Sequence, residues 1–155
     1  MQCANPRGSR AVALQQRMSL TADDVRAFIR THHRGVLATQ RRDGAPQLSP
    51  VTVGVDDDGT LMISTREPAI KTGNVRRVGR AWLCVFEDGF FGPWVQAEGP
   101  VSVETLPEAM EALVRYYRLI AGEHPDWDDY RAAMVRDRRV LLRMQIDRVG
   151  PTRSG

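Results

Sequence analysis

Lysine is almost absent from this 155-residue chain: of 22 basic residues, 21 are arginine and one is Lys71. Cysteine is nearly as scarce. Cys3 lies in a breaker-rich leading segment and Cys84 interrupts the apolar run Trp82-Leu83-Cys84-Val85-Phe86, which excludes a disulfide framework or a cysteine metal site. Cys84 reads as a small core residue. No apolar stretch approaches the length of a membrane span, and Ala11-Val12-Ala13-Leu14 is too brief for a signal-peptide core, so a cytoplasmic protein with no membrane partner is expected. Charge of one sign is also missing. The 22 basic and 19 acidic residues leave a net charge of +3, a field too weak to argue for nucleic acid. Of the two arginine clusters, Arg76-Arg77-Arg80 and Arg136-Arg138-Arg139, the second is interleaved with Asp137 and reads as a solvated face.

Catalytic signatures are missing as well. No G-x-G-x-x-G follows a strand, no G-x-x-x-x-G-K-[ST] occurs and no G-x-S-x-G elbow is present, so neither Rossmann-type nucleotide folds nor serine hydrolases fit. His32 and His33 sit at a predicted helix end, where positive side chains favour the dipole, and His124 lies in a loop. None has a second ligand at metal spacing, and no metal is expected. Asp126, Asp128 and Asp129 match neither the spacing nor the terminal glutamate of an EF-hand and are better explained as helix capping.

What is present suits one domain. At this length a chain buries about 68–70% of its unfolded surface, and 42% hydrophobic with 26% charged residues is ordinary for a soluble globular protein. Residues 1–18 show no steady period and read as a flexible extension, with Met18 an alternative start; residues 19–150 form the domain and 151–155 a tail. Ser19 or Thr21 caps a first helix carrying Asp23 and Asp24 in its first turn and Val25, Phe28 and Ile29 on one stripe.

From Gly35 the period becomes that of strands. Gly35–Gln40 reaches the hairpin signal Asp43-Gly44, a return strand runs Pro46–Val55, and the turn Asp56-Asp57-Asp58-Gly59 leads into a third strand, Thr60–Thr65. A fourth strand spans Ala81–Glu87 and a fifth Trp94–Glu104. Pro107 falls in the first turn of a helix with Met110, Leu113, Val114, Tyr117 and Ile120 at helical spacing. Pro125-Asp126 opens another helix, and a last strand alternates Val140, Leu142, Met144 and Ile146 against Leu141, Arg143, Gln145 and Asp147. Five strands, a helical insertion and one returning strand predict a mainly β, α+β protein built on a six-stranded antiparallel barrel rather than a layered α/β sheet.

The solitary lysine lies in Ser64-Thr65-Arg66-Glu67-Pro68-Ala69-Ile70-Lys71-Thr72-Gly73-Asn74, between a strand and a short helix. Taken alone, one lysine among 22 basic residues is equally well a chance survivor of a bias toward arginine. Its neighbours favour a phosphate site. Thr65, Arg66, Thr72 and Asn74 add hydroxyl, guanidinium and amide donors where the first amides of a helix are unpaired.

The order of elements, together with Gly35-Val36-Leu37-Ala38-Thr39, Asp43-Gly44-Ala45-Pro46-Gln47-Leu48-Ser49, the segment from Glu67 to Arg77, Ala97-Glu98-Gly99 and the run from Tyr117 to Arg131, resembles the split-barrel flavin and deazaflavin oxidoreductases related to pyridoxamine-5′-phosphate oxidase. Within them it resembles the actinobacterial group that uses coenzyme F420. The resemblance implies a homodimer with coenzyme grooves between subunits and hydride transfer from the reduced deazaflavin to a small organic acceptor. It further implies that Lys71 and Thr72 hold the phosphate end, that Ser64, Thr65 and Arg66 line the adjoining strand end, and that Gln47, Ser49 and Pro50 face the ring. Asn74 would close the pocket and Trp94 would reach over from the other subunit. Ala69 stands where relatives often place an arginine, with Arg66 just upstream. No catalytic side chain is implied, since the coenzyme carries the chemistry. The paired arginine and histidine of the vitamin B6 oxidases have no counterpart after Asp147-Arg148-Val149-Gly150. A reductase using flavin mononucleotide (FMN) on the same barrel and a non-catalytic F420 carrier are the alternatives.

Overall fold

A computed structural model describes residues 20–89 and 92–151 of the chain. The expected extension, residues 152–155 of the expected tail, and Phe90 and Phe91 lie outside the described residues.

The first helix, α1 (Ala22–Ile29), starts at the predicted cap. The Thr21 hydroxyl accepts the Asp24 N–H at 3.2 Å and the Asp24 carboxylate accepts the Thr21 N–H at 2.9 Å, so two amides that the helix leaves unpaired are satisfied reciprocally. Among the described residues eight strands follow: β1 (Arg34–Gln40), β2 (Pro46–Thr52), β3 (Gly54–Val55), β4 (Leu61–Arg66), β5 (Arg80–Phe86), β6 (Trp94–Glu104), β7 (Arg139–Met144) and β8 (Arg148–Gly150). Helix α2 (Ile70–Val78) joins β4 to β5, while α3 (Met110–Ala121) and α4 (Trp127–Arg136) lie between β6 and β7. The turns between β1 and β2 and between β3 and β4 place Gly44 and Gly59 at φ 84° and 82°, a region in which only glycine is unstrained.

All pairings are antiparallel, in the order β2-β1-β5-β6-β7-β4-β3, with β8 added to β6. The sheet curls into a split barrel because β6 serves both halves: Trp94–Pro100 pairs with β5, and Val101–Glu104 with β7. Val25 and Ile29 of α1 join Leu37, Val53, Leu61, Ile63, Leu83, Val85, Leu142 and Met144 in the main core.

Three expectations of strand structure are corrected. The return strand Pro46–Val55 is two strands, since its pairing with β1 ends with the in-register bond from the Val53 N–H to the His33 carbonyl at 2.8 Å and the next residues, Gly54 and Val55, pair with β4 instead. β8 was not foreseen; three residues carry no usable alternation. Leu141, assigned to the polar face of the last strand, is fully buried, because α3 and α4 cover that face and build a second core from Met62, Leu113, Tyr130, Met134 and Leu141. The six predicted strands are therefore eight among the described residues. Helix α3 also begins later than predicted, with Pro107 in the preceding turn, where its carbonyl accepts the Met110 N–H at 3.1 Å.

Beyond Met144 the chain crosses β6 closely enough that a Cβ on Gly99 would lie 1.9 Å from the Gln145 carbonyl oxygen. Only glycine permits that approach. Behind β4, Asp56 is buried and its carboxylate accepts Arg115 Nε and Nη2 at 3.1 Å each and Arg143 Nη1 at 2.8 Å. This ties the β3–β4 turn to α3 and β7.

Candidate functional site

A groove of about 1030 Å³ runs between the β1–β2 ladder, the C-terminal end of β4, the start of α2 and the inner faces of α3 and α4. Its volume is at the upper end of ordinary small-molecule sites, roughly 300–1,000 Å³. Each wall follows from local structure. β4 carries Ser64, Thr65 and Arg66 to the groove, and the chain then turns at Glu67-Pro68 into α2. Thr72 locks this turn. It is fully buried, and its hydroxyl donates to the Arg66 carbonyl at 2.7 Å. The lock leaves Lys71, next in the first turn of α2, at the groove.

A further part of the lining is aromatic. The Tyr116 hydroxyl donates to the Thr52 carbonyl at 2.8 Å and that of Tyr130 to the Leu113 carbonyl at 2.9 Å, so both rings are fixed by backbone. Tyr117 stands edge-on to Tyr130, ring centres 5.1 Å apart, and also contacts Trp127 and His124. Burial pushes the Tyr116 phenol up and that of Tyr130 up to about 12, and the nearby charge of Arg139 pulls both back. Neither is an acid or base at neutral pH.

The electrostatics of the groove are one-sided. Arg34, Arg66, Lys71 and Arg139 line it, and no aspartate or glutamate does. Arg34 is partnered by Asp88 at 3.1 Å, but among the described residues no carboxylate pairs with Arg66, Lys71 or Arg139. Arg66 and Arg139 are direct partners across the β4–β7 ladder, an arrangement of like charges that costs stability unless an anion lies between or beside them. Arg139 Nε is buried and has no hydrogen-bond partner. The reading of Arg136-Arg138-Arg139 as a solvated face is therefore corrected at Arg139, which β7 turns toward the groove.

The sequence-predicted residues fall into three places. Pro50, Ser64, Thr65, Arg66 and Lys71 line the groove together. Gln47, Ser49 and Asn74 do not line it. They form a hydrogen-bonded chain with Thr39 on the other side of the ladder: Gln47 Nε2 donates to Ser49 Oγ at 2.7 Å, the Thr39 hydroxyl to Gln47 Oε1 at 3.2 Å, and Asn74 Nδ2 to Thr39 Oγ1 at 3.1 Å. That chain fixes α2 against β1, and Thr72 belongs to the same scaffold rather than to the groove surface. Trp94, 42% exposed, is the cross-strand partner of the groove residue Phe86.

Sequence reasoning missed Tyr116, Tyr117, Tyr130, Met134 and Arg139. The tyrosines and the methionine had helical spacing, which signals only a covered face; the orphaned arginine had no local signal at all. Among the described residues no group of histidine, cysteine and acidic side chains could hold a metal ion, and no helix is long and apolar enough to cross a membrane.

Three unpaired cations and a buried, unsatisfied guanidinium N–H fit a flat coenzyme carrying phosphate. The sequence profile of the pyridoxamine 5′-phosphate oxidase family matches residues 21–153. Among solved structures, a conserved hypothetical protein of Mycobacterium tuberculosis, Rv2991, superposes with a TM-score of 0.69 at 22% identity, over 90% of this chain and 96% of that one. A protein described as an F420 reductase gives 0.62 at 18%, over 80% and 94% of the two chains. A heme binding protein from Mycobacterium smegmatis gives 0.62 at 17%, over 86% of this chain and 54% of that one. At these identities the likeness is one of fold.

Proposed function

The chain belongs to the pyridoxamine 5′-phosphate oxidase family, and from that premise we propose that it is a cytoplasmic oxidoreductase that binds coenzyme F420 in the groove and reduces a small organic acceptor. The observation that carries this reading is the groove lined by four cations and no carboxylate. An F420 reductase on the same fold supports it.

Bound in reduced form, the deazaflavin would supply a hydride to an activated double bond, the accompanying proton coming from solvent. The chain's own residues bind, orient and shield. Lys71 and Arg66 hold the phosphate end, with Ser64 and Thr65 beside them on β4. Thr72, Asn74, Gln47 and Ser49 keep α2 and the β1–β2 ladder at fixed spacing, so that the cations are already in place before the ligand arrives. Pre-placed charge needs no reorganisation during the reaction. Pro50 and the tyrosine wall confine the ring system and limit the water that reaches it.

Phe86 and Trp94, cross-strand partners on the β5–β6 ladder, are 37% and 42% exposed and Leu48 on β2 is 63% exposed, and exposed apolar residues of this size mark interaction surfaces when they gather. We propose that a second copy covers them, giving a homodimer in which Trp94 approaches the partner's groove. Sedimentation showing a monomer that binds coenzyme fully would contradict the shared groove.

The coenzyme assignment is tested by titrating the protein with oxidised coenzyme F420 and with FMN, following coenzyme fluorescence at low and high salt. Tighter binding of coenzyme F420 is expected, with the gap narrowing as salt rises, because a polyanion gains more from a cationic groove and is screened more. Copurification of a stoichiometric yellow flavin that survives dialysis and is not displaced by coenzyme F420 would replace this reading with an FMN-dependent reductase.

A further inference from the structure

The three histidines are not equivalent toward a proton. His32 and His33 set Nδ1 against the carbonyls of Phe28 and Val53, each at 3.0 Å, so that nitrogen already donates and a second ring proton leaves both bonds intact. His124 is the reverse. Its Nδ1 accepts the Asp126 N–H at 3.0 Å, which fixes the neutral tautomer with its hydrogen on Nε2 and closes the loop between α3 and α4. A doubly protonated ring has no lone pair to offer, and turning it over presents carbon at the same place. Protonation breaks this bond in either orientation.

The bond sits at a junction. Asp126 caps α4, its carboxylate accepting the Asp128 and Asp129 N–H groups at 3.0 Å each, and its own amide is the group that His124 satisfies. In α1 the corresponding amide is taken by Asp24, three residues past the cap; in α4 the histidine supplies the acceptor from outside the helix. The His124 ring also packs against Tyr117, Trp127 and Tyr130, and each of these four rings meets the other three at centre distances of 5.1 to 5.8 Å. Tyr130 is tied by its hydroxyl to the Leu113 carbonyl, whereas Tyr117, which lines the groove, is placed by ring packing. Tyr117 faces the imidazole from α3 and Tyr130 from α4. Around them stand Glu123, Asp126, Asp128 and Asp129, with Arg118 over the Trp127 ring and paired to Glu123 at 2.9 Å. The start of α4 disfavours a positive charge and these carboxylates offset that, so a proton is tolerated there and its cost is the lost acceptor.

We infer that His124 is a proton-operated latch on the aromatic lining of the groove: neutral, it holds the start of α4 and braces Tyr117, and on gaining a proton it releases both. The latch is a property of the chain alone, whatever coenzyme or acceptor the groove takes.

The experiment uses the full chain without ligand, isotope-labelled for NMR, between about pH 8 and pH 5, the span over which imidazoles ordinarily charge. In wild type the Asp126 amide, corrected for the intrinsic pH dependence of exchange, should be about five- to tenfold less protected at the acid end, the loss of one hydrogen bond. Cross-relaxation between the Tyr117 and Trp127 rings should weaken with the same midpoint, while far-UV circular dichroism stays constant. His124→Asn offers a carbonyl oxygen to the amide two residues on and cannot titrate, so it should keep the protected state throughout. His124→Phe keeps a ring and lacks the acceptor, so it should be deprotected at both ends. Equal protection of Asp126 across the range in wild type overturns the latch. So does a His124→Asn protein that responds as wild type does, because the carboxylates would then be the titrating groups. A response at Asp126 that leaves the Tyr117–Trp127 contact unchanged overturns the link from the cap to the groove.

Discussion

Replacing Asp56 by asparagine keeps the shape of a buried hub and removes its charge. The carboxylate is 5% exposed and is held by the guanidinium of Arg115 and by that of Arg143, with a further bond from the Asp57 N–H at 3.0 Å. These donors, Arg115 first, pull its pKa from 3.8 to about 2 against the opposing effect of burial. A fall of that size is worth roughly 2 kcal/mol at 1.36 kcal/mol per pKa unit. The folded value lies below the unfolded one, so this stability is fully present above about pH 5, is lost as the pH falls through 2, and stands near half its full value at about pH 3. Arg143 keeps Asp58 at 2.9 Å and Glu104 at 3.4 Å, so the variant does not strand it. Urea unfolding of wild type and Asp56→Asn at pH 7 and pH 3 is the assay. The expected difference is about 2 kcal/mol at pH 7, a drop in Tm of roughly 6–8 °C, shrinking to about 1 kcal/mol at pH 3. A difference that is the same at both pH values, or below about 0.5 kcal/mol at pH 7, refutes the assignment of the hub as a charge effect.

Lys71→Ala should weaken coenzyme binding by about 1.5–3 kcal/mol, one to two decades in Kd, without changing the melting curve, and Lys71→Arg should weaken it less; unchanged binding by a folded Lys71→Ala protein rejects the phosphate grip. Gly99→Ala should destabilise by about 1–3 kcal/mol or more, since its Cβ would meet backbone rather than a movable side chain. Gly73→Ala in α2, where nothing lies within 4 Å of the added methyl, should stabilise by up to about 1 kcal/mol; urea unfolding that shows the two changes acting alike would discount the close crossing at Gly99.

The sequence read well wherever one short stretch of chain decides the structure. The Thr21 cap, the hairpin at Gly44, the turn at Gly59 and the span Trp94–Glu104 were each written in neighbouring residues. It read poorly where a distant segment decides. Leu141 was assigned to a polar face because its burial depends on α3 and α4 docking against β7. Val53 continues an apolar run, and the strand divides after it only because β1 ceases to be the partner there and β4 takes over at Gly54. The site divides the same way. Lys71 and Arg66 stood out by chemistry beside a strand-to-helix junction, whereas Arg139 looked like one more surface arginine until β4 placed Arg66 opposite it and the helices closed over it. Thr72, Asn74, Gln47 and Ser49 were chosen for their donors, and the fold uses those donors internally.

β6 and β7 are neighbours, antiparallel, with Glu104 opposite Leu141, so a tight turn could have joined them. Instead residues 105–138 leave the sheet and return to the adjacent strand, and that excursion carries Tyr116, Tyr117, Tyr130 and Met134. The aromatic lining is thus an inset between two strand ends that are already in register, supplied by a different stretch of chain from the β4–α2 junction. Evolution can lengthen, shorten or recolour the inset without disturbing the ladder on either side. One barrel can keep its β4–α2 junction and exchange the surface that shares the groove with it, much as a lathe keeps its chuck and changes its tool.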